Sequence, residues 1–279
     1  MNGGLSIRPF ATTREYHDCV ALQEETWGIG FSERVSPAIL MVAQILGGVS
    51  AGAYDEDDHL VGFVFGMTGL RDGEVVHWSD MLAVRPEARD AGLGRRLKLY
   101  QREEVLRRGV QRMHWTFDPL QSRNAHLNFC KLGIVVREYE EDLYGQTDSP
   151  LHRGIGTDRF IALWMLTSPR VEERLAGGRH DLTSGGMSQM PSALDAQPGG
   201  VHTRPGVPDV SLRSEWIRVA IPSDIVALMS EDLPLALEWR AATRAVFMHY
   251  LSSGYEVREF LRGVGESQYL LARVSDDMT

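Results

Sequence analysis

Trp78-Ser79-Asp80-Met81-Leu82-Ala83-Val84-Arg85-Pro86-Glu87-Ala88-Arg89-Asp90-Ala91-Gly92-Leu93-Gly94 is the stretch on which the reading of this chain turns. Residues 78–84 read as a strand that runs out at Pro86, and Gly92 and Gly94 then shape a turn. From 92 to 108 the period becomes helical, with Leu93, Leu97 and Tyr100 on one stripe. A helix that starts this way has backbone N–H groups without partners in its first turn, and its dipole adds partial positive charge there. Together they suit a pyrophosphate. Glycine lets a phosphate reach the main chain without meeting a Cβ. Arg95, Arg96 and Lys98 follow as cations for further phosphates. The dinucleotide fingerprint G-x-G-x-x-G is not met, since Leu97 stands at its last position, and the Walker A pattern is absent. The plain alternative is a strand-to-helix turn tightened by glycines.

Working outward, Leu5 to Phe10 reads as a short strand and Thr12 or Thr13 as the cap of a helix to Trp27. A second helix is expected over 33–46, with Pro37 in its first turns and Gly47-Gly48 as its stop. Val49–Tyr54 and Leu60–Met67 read as a hairpin across the acidic turn Asp55-Glu56-Asp57-Asp58. After the helix at 92–108 come a strand at 113–117, a short helix at 123–132 stopped by Gly133, and strands at 135–139 and 160–166. The fold class is therefore α+β: a mixed, mostly antiparallel sheet with helices on both faces. The hairpin speaks against a wholly parallel nucleotide-binding sheet.

Residues 1–168 form the first domain on this reading. The Gly-, Pro- and Ser-rich stretch 169–210 reads as a linker, and 211–279 as a half-domain that repeats an earlier unit. Ser122-Arg123 through Gly133 to Val136-Arg137-Glu138-Tyr139 matches Thr243-Arg244 through Gly254 to Val257-Arg258-Glu259-Phe260. The offset is constant at 121 positions, as from Gly133 to Gly254. Each copy has a strand and a proline upstream, Pro119 and Pro222. Such a half would pack onto the first sheet or onto that of a second copy, the latter making a homodimer.

The chain has 279 residues, a formal net charge of -9 and a pI near 5.5, a balance that argues against a nucleic-acid partner. Cys19 and Cys130 make no disulfide framework and no metal cluster. No apolar run approaches the roughly 20 residues of a membrane span and no leader is visible, so a cytoplasmic protein is expected.

Arg89-x-x-Gly92-x-Gly94, after a strand ending Leu82-Ala83-Val84-Arg85-Pro86, resembles motif A of the GNAT acyltransferases, and Lys131-Leu132-Gly133-Ile134 is similar to the stop of the family's later helix. The resemblance covers about residues 5–166. The stretch Trp115 to Leu120, with Asn124 to Asn128, Tyr144-Gly145 and Asp158-Arg159, looks like a branch of long GNAT proteins that includes enzymes thought to acylate amino acids. What the resemblance implies is direct transfer from acetyl-CoA, or another acyl-CoA such as succinyl-CoA, to a small-molecule amine.

On that basis the pantetheine arm lies along the backbone of Leu82, Ala83 and Val84, a backbone N–H of that strand holds the thioester oxygen, and the phosphates sit on Arg89, Asp90, Ala91, Gly92, Leu93, Gly94 and Arg95. The base is Asp80, which shares a strand face with Leu82, or His77 one face over. The acid is open: Phe129 stands where the family often has a tyrosine, and Asn124, Tyr139 and Tyr144 are its candidates. Asp118 and Arg123 flank the expected cleft and would recognise charged groups of the acceptor. The missing tyrosine and the repeated half also suit a module that binds CoA without transfer.

Overall fold

A computed structural model describes residues 4–89, 92–145, 154–178 and 190–274. These fall into two compact units that divide at Trp115 and Thr116, with 165–167 belonging to the first.

The first unit runs β1 (Ser6–Pro9), α1 (Thr13–Trp27), α2 (Pro37–Ile45), β2 (Val49–Tyr54), β3 (Leu60–Arg71), β4 (Glu74–Val84), a 3-10 turn at Pro86–Ala88, α3 (Leu93–Arg107) and residues 112–115 of β5 (Arg112–Phe117). Thr12 caps α1: its hydroxyl accepts from Glu15 N–H while the Glu15 carboxylate accepts from Thr12 N–H. α2 starts at Pro37 rather than at 33, because proline suits a first helical position and Ser36 supplies the cap. The strands lie in the order β1-β2-β3-β4-β5, antiparallel up to β4 and parallel between β4 and β5.

Residues 60–66 of β3 are buried on both faces, as happens when helices cover both sides of a sheet. On one side Phe63 and Phe65 join Phe10, Tyr16, Leu22 and Leu40, from the side of α1 and α2. On the other, Gly62 and Gly66 let α3 come close. A Cβ at Gly66 would stand 2.3 Å from His77 Nε2 and 2.5 Å from the Trp78 carbonyl oxygen.

The second unit contains α4 (Ser122–Ala125) running into a π-helical stretch (His126–Leu132), β6 (Val135–Glu140), β7 (Arg159–Met165), α5 (Pro169–Leu175), β8 (Ser192–Leu194), β9 (Ala196–Gly199), β10 (His202–Pro205), β11 (Trp216–Pro222), α6 (Ile225–Glu231), α7 (Leu233–Ser252), β12 (Tyr255–Leu261) and β13 (Glu266–Arg273). Its main sheet has the order β7-β6-β12-β13-β11-β8, antiparallel except for β11 with β8. β9 and β10 form a separate hairpin.

β6 and β12 meet at Val136 opposite Val257, the two positions that the offset of 121 equates. Aromatic rings from both segments make the core: Phe160 lies 4.7 Å from Phe247 and Phe129 lies 5.7 Å from Tyr269, centroid to centroid and edge-on.

One sequence expectation changes: the stretch 169–210 is not only linker, since α5, capped by Ser168, and β8 to β10 lie in it. β12 pairs with β6, so the C-terminal strands share a sheet with β6 and β7 of the same chain.

Candidate active site

α3 opens without a capping side chain. Among the described residues every other α-helix of seven residues or more has one: Thr12, Ser36, Ser168, Asp224 and Asp232. At α3 the N-cap is Gly92, held at φ 73° and ψ 12° with no side-chain bond. That left-handed backbone costs an L side chain about 1–2 kcal/mol, so glycine is the natural occupant. The first helical bond runs from Arg96 N–H to the Gly92 carbonyl, and the amides of Leu93 and Gly94 lie ahead of it. Nothing stands within 4 Å of a Cβ built on Gly92. The open space and the lack of a capping side chain fit an anion at this helix start.

Other loop residues shape the turn. Arg89 is exposed, and its Nε donates to the Val84 carbonyl at 3.0 Å. Arg85 donates to the Leu60 carbonyl and pairs with Glu25. Arg96 reaches away to the Leu5 carbonyl. Asp90 and Ala91 lie outside the described residues.

β4 changes character just before this loop. Phe65 pairs with Met81 and Gly66 with Ser79, so Asp80 is the extra residue of a bulge. The β4–β5 ladder holds His77 with Met113 and Trp78 with His114. The next residues, Ser79 and Trp115, both touch Lys98: its Nζ donates to Ser79 Oγ at 2.7 Å and lies 3.8 Å from the centroid of the Trp115 ring. Lys98 thus does not reach for phosphates as the sequence suggested. It points from α3 into the sheet, where it is 6% exposed, because position 98 faces inward beside Leu97 and Gln101.

Burial pulls the Lys98 ammonium down to about 7 from 10.5. The unfolded chain takes up this proton below 10.5 and the folded chain only near 7, so the penalty on folding grows as pH falls between those values and is complete below 7. At about 1.4 kcal/mol per unit this is on the order of 5 kcal/mol, less about 1–3 kcal/mol for the Ser79 hydroxyl left unpaired on removal. Lys98→Met should therefore raise the denaturant midpoint at pH 6 and give a smaller gain at pH 9.5.

The candidate bases separate clearly. His77 is fully buried, with Nδ1 3.0 Å from Thr68 Oγ1 and Nε2 3.0 Å from the Gln101 amide. Burial, then Lys98 and Arg108, lowers it to about 3, so it stays a neutral structural ring. Asp80 reaches solvent, yet the surrounding protein raises its carboxyl above the usual range, opposed by a hydrogen bond from Trp78.

Asp80, the Leu82–Val84 strand and the phosphate loop belong to the first unit; Asn124, Tyr144, Asp118 and Arg123 belong to the second. Asn124 and Arg123 are exposed on α4. Tyr144 is exposed, with its hydroxyl 2.8 Å from Thr116 Oγ1 and its ring 5.2 Å from the Arg159 guanidinium. Tyr139 is engaged by Asp158 and raised by burial and that carboxylate. Phe129 is buried, edge-on to Phe117 and Tyr269.

Asp118 departs from the acceptor-binding role expected of it. It is 3% exposed, with one oxygen taken by Arg240 at 2.7 Å and the other by the Leu120 amide at 2.8 Å. Sequence reading missed Arg240, which lies 122 positions downstream. Among the described residues no group of His, Cys, Asp and Glu could hold a metal, and no helix is long and apolar enough to cross a membrane.

Solved structures with a similar fold include the ribosomal-protein-S18-alanine N-acetyltransferase from Escherichia coli, at 18% identity over 59% of this chain and 96% of that one, TM-score 0.45. An acetyltransferase of the GNAT family from Streptococcus pneumoniae aligns at 20% identity over 57% and 98%, TM-score 0.46. Arabidopsis thaliana Naa50 in complex with the bisubstrate analogue CoA-Ac-MVNAL aligns at 14% over 57% and 97%, TM-score 0.45. No protein-family model matches the chain, and no curated protein does. The mixed, mostly antiparallel sheet with helices on both faces that the sequence implied is the architecture present.

Proposed function

We propose that this chain is an acyl-CoA-dependent N-acyltransferase of the GNAT type. More narrowly, it moves an acetyl or succinyl group from the CoA thioester to the amine of a small molecule such as an amino acid. The observation that carries this is the start of α3, with Gly92 left-handed and no capping side chain, and the Leu93 and Gly94 amides ahead of the first helical bond. It follows a bulged β4 whose ladder with β5 is short. Those amides would hold the diphosphate, and the backbone of Leu82, Ala83 and Val84 the pantetheine arm.

Transfer needs a neutral amine and a place for its proton. Asp80 takes it directly or through water: its carboxyl is raised toward neutrality and open to solvent. The departing thiolate needs little help, as a thiol's own pKa is near 8.5. Asp80→Asn is expected to lower kcat by about 10²-fold and leave acetyl-CoA affinity unchanged; kcat within a factor of about three of wild type would remove Asp80 from this role.

Calorimetric titration with acetyl-CoA and succinyl-CoA tests the reading as a whole, and binding of neither would reject it. The buried Phe129 in place of a tyrosine favours a second reading, a module that binds CoA without transfer. Release of free thiol across a panel of amines separates the two.

A further inference from the structure

Asp80 is the extra residue of the β4 bulge, so no residue of β3 stands opposite it. A bulge re-aims the side chain that it leaves unpaired, and the aim must then be fixed by neighbours. Ser79 is turned to α3 and taken by Lys98. The hydrogen bond to the Asp80 carboxylate comes from Trp78, two residues back on β4, and the indole N–H is the only donor that side chain has.

Trp78 is itself held by the strands on either side. In the ladder with β5 it pairs with His114, and the two rings stack with centroids 6.4 Å apart and planes 19° from parallel. His114 is 7% exposed, and its Nδ1 lies 3.4 Å from Arg71 Nη1 on β3. Met67 of β3 pairs with Trp78 from the other edge. The indole is thus fixed on rigid strands, and the carboxylate that it meets lies on the bulge just beyond. A general base works when its direction is set to about 10–20° by groups that are themselves locked in place.

The same bond favours the ionised carboxylate, the form that accepts a proton, against the burial that disfavours it. The other titratable groups on the packed elements are engaged: His77 bonds Thr68 and Gln101 and stays neutral, Lys98 bonds Ser79, and Arg71 meets His114.

We propose that Trp78 is a positioning residue for Asp80: its indole N–H, held by the stack on His114, aims the carboxylate of the bulge. That the aimed group is the catalytic base rests on the acyltransferase reading above; the contact itself does not.

The test is Trp78→Phe in the full chain, which keeps an aromatic ring on His114 and removes the N–H. Carbon-13 NMR follows the Asp80 side-chain carboxyl, assigned by its loss in Asp80→Asn. Its midpoint should rise by about one pH unit, because a bond to the charged form is lost. The acid limb of kcat should move up with it, with about tenfold less activity on that limb and acetyl-CoA affinity unchanged. A purely structural tryptophan would lower stability and leave both midpoints in place. Should the variant fail to fold, the wild type still decides: the Trp78 indole N–H resonance should titrate with the Asp80 midpoint and lose that dependence in Asp80→Asn. An unmoved carboxyl midpoint in the folded variant, or an indole resonance that ignores Asp80, would overturn the proposal. A carboxyl midpoint that moves while the acid limb stays would remove Asp80 as the base and leave its contact with Trp78 standing.

Discussion

Gly92→Glu is expected to lower acetyl-CoA affinity at least 100-fold, about 2.7 kcal/mol or more, while the protein still folds. Two effects combine. The substituent brings a negative charge to the place where the α3 amides and dipole would receive the diphosphate. It also puts a side chain on a main-chain surface that a phosphate must approach closely. The fold should survive, because a Cβ at this position meets nothing within 4 Å and the cost is that of a left-handed residue, about 1–2 kcal/mol. Gly92→Ala is the control: it carries the same backbone strain without the charge or the bulk, and should lose far less affinity. Calorimetric titration of both variants measures the difference. A Glu variant that binds acetyl-CoA as tightly as the wild type would show that the diphosphate sits elsewhere.

Asp118→Ala should destabilise the protein by about 3–5 kcal/mol, read as a fall in the denaturant midpoint. Burial alone would raise the Asp118 carboxyl, but the Arg240 guanidinium, by charge and hydrogen bond, outweighs burial and holds it below the usual range. Removing Asp118 strands a guanidinium that is 2% exposed. The double variant Asp118→Ala with Arg240→Met removes both charges and should recover most of the loss, since a buried pair as a whole is worth little against apolar groups. The sign of the pH effect follows from the lowered carboxyl. The stabilisation is present above the unfolded value near 3.8 and is lost as pH falls through the depressed folded value. Wild type should therefore lose stability below pH 4 more steeply than the double variant. A single variant as stable as wild type would mean that the pair is not desolvated as its burial implies.

Features set within a few neighbouring residues were legible in the sequence. The Thr12 cap of α1, the hairpin across Asp55 to Asp58 and the glycine start of α3 all stand where the pattern placed them. The offset of 121 also equates the two valines that pair between β6 and β12. Boundaries were less so: β3 extends to Arg71 and β4 begins at Glu74, beyond the apolar runs that marked them. There the ladder continues through mostly exposed residues, Leu70 and Val75 among them, because main-chain pairing does not depend on side-chain burial.

The roles of charged residues were mostly out of reach. Lys98 reads as one more cation after a phosphate loop, and only the packing of α3 on β4 and β5 turns it inward to Ser79 and Trp115. Asp118 reads as a residue for the acceptor's charged groups, and its actual partner arrives from a helix more than a hundred positions away.

The amino-acid order by itself determined the local geometry of this protein: which segments are strands and which are helices, where Thr12 caps α1, and that α3 starts on a glycine. These are decided by backbone sterics and by hydrogen bonds over a few residues. The tertiary structure alone decided that β6 and β7 share a sheet with the C-terminal strands, and that Asp118 and Arg240 are buried against each other. Desolvation and charge pairing act across space, and spacing along the chain carries no measure of them.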